Sequence, residues 1–228
     1  MNGRAINETR TIEEALRRGS QPRRSGSGED MSSEREASFK EAREAAGRLA
    51  ARVAAEGLID VSYAIAESPF GPLLLATTRR GLVRVAFPEE DVDSVLEGLA
   101  RGVSPRIVET PRPLDGVRRE LDEYFTGRRR EFELRLDWTL VGRFGRRVLR
   151  VTSEIPYGGV QSYGEVAADA GSPRGSRAAG NALGSNPIPI VIPCHRVLRA
   201  GGALGGYGGG VERKRWLLEL EGAIASDR

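Results

Sequence analysis

The chain holds one cysteine and one histidine among its 228 residues, and they are neighbours, Cys194 and His195, inside NPIPIVIPCHRV at 186–197. A thiol with an ordinary pKa of about 8.5 is a weak nucleophile until its proton is removed, and an imidazole is the usual acceptor. The pair therefore points to nucleophilic chemistry at sulfur. A buried structural thiol is the rival reading, since free cysteine is among the most buried residue types. A Cys–His protease fits poorly. There the two residues come from distant parts of the chain and touch directly, whereas adjacent side chains of an extended segment point to opposite faces. A local turn or a bridging water is what would connect them here. One cysteine and one histidine cannot build a Cys/His zinc site, and no carboxylate spacing suggests another ion, so neither a metal nor a cofactor is expected.

The elements on either side must hold that sulfur. Pro187, Pro189 and Pro193 each remove an N–H and bias the preceding residue toward extended geometry, which predicts a stiff, extended apolar segment leading into Cys194. Downstream, GGALGGYGGG reads as a thin backbone wall for a flat ligand, with Tyr207 its one large aromatic side chain. It carries no phosphate-binding glycine pattern. An amphipathic helix with Val211, Trp216, Leu217 and Leu220 follows, ending at Glu221, which taken alone reads as a surface carboxylate. Upstream, FGRRVLRVTSEI reads as helical, with Phe144, Val148, Val151 and Ile155 offered to the core. SYGEVAADAG opens with Ser162 and Glu165 at capping-box spacing. RGSRAAGNALGSN starts another helix, so the two form a helix-turn-helix candidate, with Arg174 and Arg177 near the start of the second.

Before that, VSYAIAES, PLLLATT and GLVRVAF, separated by SPFG and RRG, predict a three-stranded antiparallel meander. DVDSVLEGLAR and PLDGVRRELDEYFTG predict helices, the second with Leu114, Val117, Leu121 and Tyr124/Phe125 on one face. No catalytic constellation shows between 61 and 137. Residues 1–60 read as an extension, with helical stretches at TRTIEEALRRG and 32–57 around a Gly/Ser-rich linker. The organisation expected is thus an extension (1–60), an α+β unit (61–137), a mostly helical unit (138–224) and a short tail (225–228). A net charge of +3 is compatible with nucleic acid but weak on its own. No apolar run reaches the ~18 residues of a membrane span, no secretory signal opens the chain, and a lone cysteine suits a reducing cytoplasm.

IPYG (155–158), SYGEVA (162–167), RAAGNALGSNPIPIVIPCHRV (177–197) and LGGYGGGVERKRWLLELEG (204–222) together resemble the O6-alkylguanine-DNA alkyltransferases, and the likeness runs in order from 61 to 223. The resemblance implies an α+β fold whose helical part contains a winged-helix-like helix-turn-helix. It implies single-turnover transfer of an alkyl group from O6-alkylguanine, with O4-alkylthymine a lesser substrate, onto Cys194. His195 would take the thiol proton through a water and Glu221 would orient the imidazole. Asn186 would brace the turn, and Tyr163 would donate to the flipped base. Pro189 and Tyr207 would flank that base, with backbone near Val197 and Gly208 reading its edge. Arg177 would fill the vacated stack. The implied partner is double-stranded DNA entered from the minor groove, met by a monomer. Two further readings stand beside this one: a non-catalytic lesion sensor, whose known relatives lack the cysteine, and a helix-turn-helix transcription factor.

Overall fold

The computed structural model describes residues 58–225. The helices expected within 1–57 and the end of the tail at 226–228 lie outside the described residues.

Three strands form the expected meander: β1 (Val61–Ala66), β2 (Leu73–Thr78) and β3 (Gly81–Ala86), antiparallel throughout. Side chains alternate across a strand, and here both faces are covered. Leu73 and Leu75 enter one apolar cluster with Val85, Val117 and Leu121, while Leu74 and Ala76 enter a second with Val83, Val95 and Leu99. That two-sided burial explains why β2 reads as a continuous apolar run. The β2–β3 turn demands glycine: Gly81 has φ +134°, and a Cβ there would lie 2.0 Å from the carbonyl oxygen of Arg135. The close approach is functional for the fold, because the segment around Leu136 runs beside β3, with Leu82 N–H on Arg135 O and Asp137 N–H on Leu82 O at 2.8 Å each.

A fourth strand, β4 (Ile107–Glu109), pairs in parallel with β1 and gives the order β3-β2-β1-β4. The sequence did not predict it, since three residues are too few to display a period of two. Helix α1 (Val92–Gly102) starts at an Asp91 cap that accepts from Ser94 N–H. Helix α2 (Asp115–Phe125) buries Val117, Leu121 and Tyr124, the face its spacing predicts.

The helical half comprises α3 (Arg143–Ser153), α4 (Tyr163–Asp169), α5 (Ser176–Gly184) and α6 (Val211–Leu220). The Ser162–Glu165 capping box opens α4 as its spacing predicts. Both α4 and α5 pack on α3. A two-residue parallel pair, β5 (Gln161–Ser162) and β6 (Val197–Leu198), ties the start of α4 to the stretch after the cysteine. The first cluster runs without a break from the sheet through Tyr124 to Val148, Leu183, Ile188 and Cys194. No helix among the described residues is long and apolar enough to cross a membrane.

Candidate active site

The segment leading to the cysteine is not extended. Ile192 N–H bonds to Ile188 O (2.9 Å), Val191 N–H to Pro189 O (2.9 Å) and Cys194 N–H to Ile192 O (2.8 Å), so the chain folds back on itself. Three prolines silence three donors, but the residues between them keep theirs, and these close the turn. Ile190 pays the steric cost with φ +73°, a left-handed conformation that disfavours a β-branched side chain by about 1–2 kcal/mol. Asn186 holds the turn shut. Its Nδ2 donates to Ile192 O at 3.0 Å and to Cys194 Sγ at 3.2 Å, and its Oδ1 accepts from Ile188 N–H at 3.0 Å. Cys194–Arg196 is a single 3-10 turn, so the alternation of an extended strand does not apply to Cys194 and His195.

Cys194 is 6% exposed, and burial pushes its thiol up to about 11 against the opposing pull of Asn186 and the Lys214 charge. The sulfur therefore rests protonated and needs a base. His195 is fully buried; burial lowers its pKa, while the Glu221 hydrogen bond works the other way. It is thus a neutral imidazole at neutral pH. Its Nε2 lies 3.0 Å from Glu221 Oε1. Beside a carboxylate Nε2 carries the proton, which leaves Nδ1 as the acceptor. Nδ1 is buried with no hydrogen-bond partner among the described residues, and the same holds for the hydroxyl of Tyr207. The Tyr207 ring meets the imidazole edge-on, 6.4 Å between centroids.

Glu221 is no surface carboxylate. It caps the end of α6 at 6% exposure and receives Tyr124 Oη (2.6 Å), His195 Nε2 (3.0 Å), Arg196 Nε (2.9 Å) and Nη2 (2.8 Å), and Gly158 N–H (3.4 Å). Burial would raise its pKa, but the bonds from His195 and Arg196 prevail and hold it at about 2. Nothing in the local sequence marked this, because its donors, Tyr124, Gly158, His195 and Arg196, lie 97, 63, 26 and 25 positions away in the chain.

Two cavities share Cys194 in their walls. One, about 700 Å³, is bordered by Tyr163, Arg177, Cys194, Tyr207 and Gly208. The other, about 660 Å³, opens between α1 and the end of α5 and is bordered by Asn186, Pro189, Cys194, Tyr207 and Gly208. Cys194, Tyr207 and Gly208 thus sit where the two adjoin. Tyr163, the first residue of α4, donates its hydroxyl to Gly206 O at 3.2 Å, across the mouth of the first cavity. Arg177 is exposed on the first turn of α5. Val197 borders neither cavity: its N–H bonds to Cys194 O, and its carbonyl accepts the buried Lys214 ammonium at 2.5 Å, leaving one lone pair for a ligand.

Lys214, which the sequence reading left out of the site, is fully buried; burial lowers its pKa to about 8, with Cys194 pulling upward. Phe87 is a second omission. A Cβ on Gly209 would come within 2.6 Å of the Phe87 ring, so glycine there lets Phe87, just beyond β3, approach the backbone of the loop that carries Tyr207. No cluster of His, Cys, Asp and Glu suited to a metal ion occurs among the described residues.

Residues 61–138 match the family described as 6-O-methylguanine DNA methyltransferase, ribonuclease-like domain, and residues 143–223 match its DNA binding domain. A methylated-DNA–protein-cysteine methyltransferase of Mycolicibacterium paratuberculosis is 44% identical over 162 residues, covering 71% of this chain and 92% of the relative. The inducible enzyme of that description from Bacillus subtilis is 35% identical over 154 residues, covering 67% and 86%. The crystal structure of Mycobacterium tuberculosis OGT in complex with DNA aligns at TM-score 0.61 and 41% identity, covering 70% of this chain and 92% of that one. With both halves matched, and with a lone buried thiol beside a carboxylate-bound imidazole in the second, the chain belongs to the 6-O-methylguanine DNA methyltransferase family.

Proposed function

We propose that this protein's repair of O6-methylguanine in DNA, the methylated-DNA–protein-cysteine methyltransferase reaction, runs through Cys194 as acceptor, His195 as base and Glu221 as the group that orients the base. The observation that carries the assignment is the unpartnered Nδ1 of a buried, neutral His195 whose other nitrogen is fixed on an ionised Glu221. A water linking Nδ1, the Tyr207 hydroxyl and the thiol would have the polar partners that such a site requires.

The thiol proton passes through that water to Nδ1. The thiolate attacks the methyl carbon on the side opposite O6; the S–C bond forms as the C–O6 bond breaks, and the electron pair stays on the base. Tyr163, released from Gly206, donates to the base and steadies the developing anion. Asn186 stabilises the thiolate before attack by its bond to sulfur. The departing base takes up one proton, balancing the one left on His195, and the products are S-methylcysteine and guanine. A thioether has no easy return path, so each molecule reacts once.

The thiol is recessed, so the base must leave the helix, at a cost of a few kcal/mol that is smaller for a damaged pair. Entry of α5 into the minor groove of a duplex, with Arg177 in the vacated stack and Pro189, Tyr207 and backbone at Val197 and Gly208 around the base, offsets part of it. The work divides between a supporting unit (61–137) and an acceptor unit (138–224). The protein acts as a monomer in a reducing cytoplasm, and O4-alkylthymine is the lesser substrate.

An oligonucleotide with one O6-methylguanine should add the mass of one methyl group to the intact protein, saturating at one per molecule, and Cys194→Ala should abolish the gain. Binding with unchanged mass would mark a lesion sensor instead. Arg177→Ala should slow repair of the duplex several-fold more than reaction with free O6-benzylguanine; equal losses would remove Arg177 from the stack.

A further inference from the structure

We infer that Tyr124, carried by the N-terminal unit, is a positioning residue for the transfer reaction: its hydroxyl, bonded to the same Glu221 oxygen that accepts His195, sets how strongly the carboxylate draws on the imidazole. The inference rests on the relay proposed above and extends it across the two units.

The geometry is specific. Tyr124 lies on α2 and is fully buried. Its Oη donates to Glu221 Oε1 at 2.6 Å, the oxygen that also takes His195 Nε2 at 3.0 Å and Arg196 Nη2 at 2.8 Å. An oxygen with two lone pairs cannot serve three donors equally. A bond this short between phenol and carboxylate is charge-assisted, about twice as strong as a neutral one. Tyr124 therefore withdraws charge that would otherwise reach the imidazole and make it more basic. It cannot swing away, because Phe125, Phe132 and Tyr157 surround its ring at 5.6, 5.1 and 6.1 Å between centroids. Burial and the adjacent carboxylate push its pKa far above that of an ordinary phenol, so it stays a donor. The other titratable or charged groups facing the relay are Cys194 and Arg196 on the 3-10 turn, Lys214 on α6, Tyr157 before β5 and Tyr207 on the glycine loop.

The sign follows. Transfer needs neutral His195, so its rate rises with pH through the imidazole's titration. Without the phenol hydroxyl, Glu221 holds more charge for His195, the imidazole becomes more basic, and that rise moves to higher pH. The test is the single-turnover rate of methyl transfer from an O6-methylguanine duplex to the full chain, measured against pH. In Tyr124→Phe the midpoint should rise by roughly half a unit to one unit, with transfer on the rising limb slowed about threefold to tenfold. Replacing Tyr124 with 3,5-difluorotyrosine keeps the shape and strengthens the donor, so the midpoint should fall instead. Phe132→Leu loosens the ring cage and should lower the melting temperature without moving the midpoint.

Opposite shifts for the two replacements at 124 support the inference, since packing damage cannot act in both directions. Profiles at 124 that superimpose on the native one, or a shift in Phe132→Leu as large as that in Tyr124→Phe, overturn it. If Tyr124→Phe does not fold, the fluorinated protein decides alone. His195→Ala separates the two readings: loss of the rising limb there with no shift at 124 sinks only the role of Tyr124, whereas a limb that survives His195→Ala sinks the relay.

Discussion

Residues 61–137 and 138–224 both bury polar groups, but they complete them differently. In the first, Asp137 is 3% exposed and takes the hydroxyls of Thr78 (2.6 Å) and Thr139 (2.5 Å) and Thr139 N–H (2.9 Å). Glu120 is 6% exposed and accepts Glu133 N–H at 2.9 Å. These carboxylates bind chain segments to one another. In the second, Glu221 is saturated as well, yet the groups beyond it are not: His195 Nδ1 and the Tyr207 hydroxyl are buried without a hydrogen-bond partner among the described residues. Buried polar atoms are nearly always paired, so an unpaired one marks a place left for a water or a ligand. The contrast shows that the number of buried charges says little about function. What separates scaffold from site is whether the hydrogen-bond chain closes on itself.

The comparison can be broken at Glu221. Glu221→Ala leaves Arg196 buried without its carboxylate and should cost about 3–5 kcal/mol of stability, read as a lower denaturant midpoint, and should slow transfer even under conditions where the protein remains folded. A stable variant with native transfer rates would show that the two regions do not differ in kind.

Acid tests the same carboxylate. Glu221 has its folded pKa at about 2 against an ordinary 4.5. The folded state therefore binds fewer protons than the unfolded chain between those values. The resulting stability, roughly 3 kcal/mol, is complete above the ordinary range and disappears as the pH falls from about 4.5 through about 2. Denaturation midpoints across that window should fall in the native protein and stay flatter in Glu221→Gln.

Asp137→Asn should have the smallest effect. Losing a charged acceptor for the Thr78 and Thr139 donors should cost about 1–3 kcal/mol, with methyl transfer per folded molecule unchanged. Slower transfer at equal folding would mean that the sheet side of the molecule takes part in the chemistry beyond Tyr124.

Several features were legible in the sequence because their cause is local. The capping box at Ser162–Glu165 needs three residues of spacing and nothing else, and the structure has it. The buried face of α2 follows from a period of 3.6, and the meander follows from apolar runs broken by SPFG and RRG. The short strand β4 did not, since its pairing with β1 is all that makes three residues a strand. The proline-rich stretch misled for a similar reason. Proline restricts its own φ and its predecessor's ψ, but the turn is set by hydrogen bonds from Val191, Ile192 and Cys194 and by the Asn186 amide.

One thiol beside one imidazole, a capped helix pair and a glycine-rich wall are properties of the order of residues, and that order alone was enough to place the chain among alkyl acceptors. The environment of those groups was not. Whether Glu221 lies in water or under five donors, whether Lys214 is a surface charge or a buried clasp on Val197, and whether Tyr124 is packing or part of the site depend on contacts between segments far apart in the chain. Desolvation and hydrogen bonding, which set the basicity of an imidazole and the charge on a carboxylate, exist only once those segments meet, so only the folded molecule determines them.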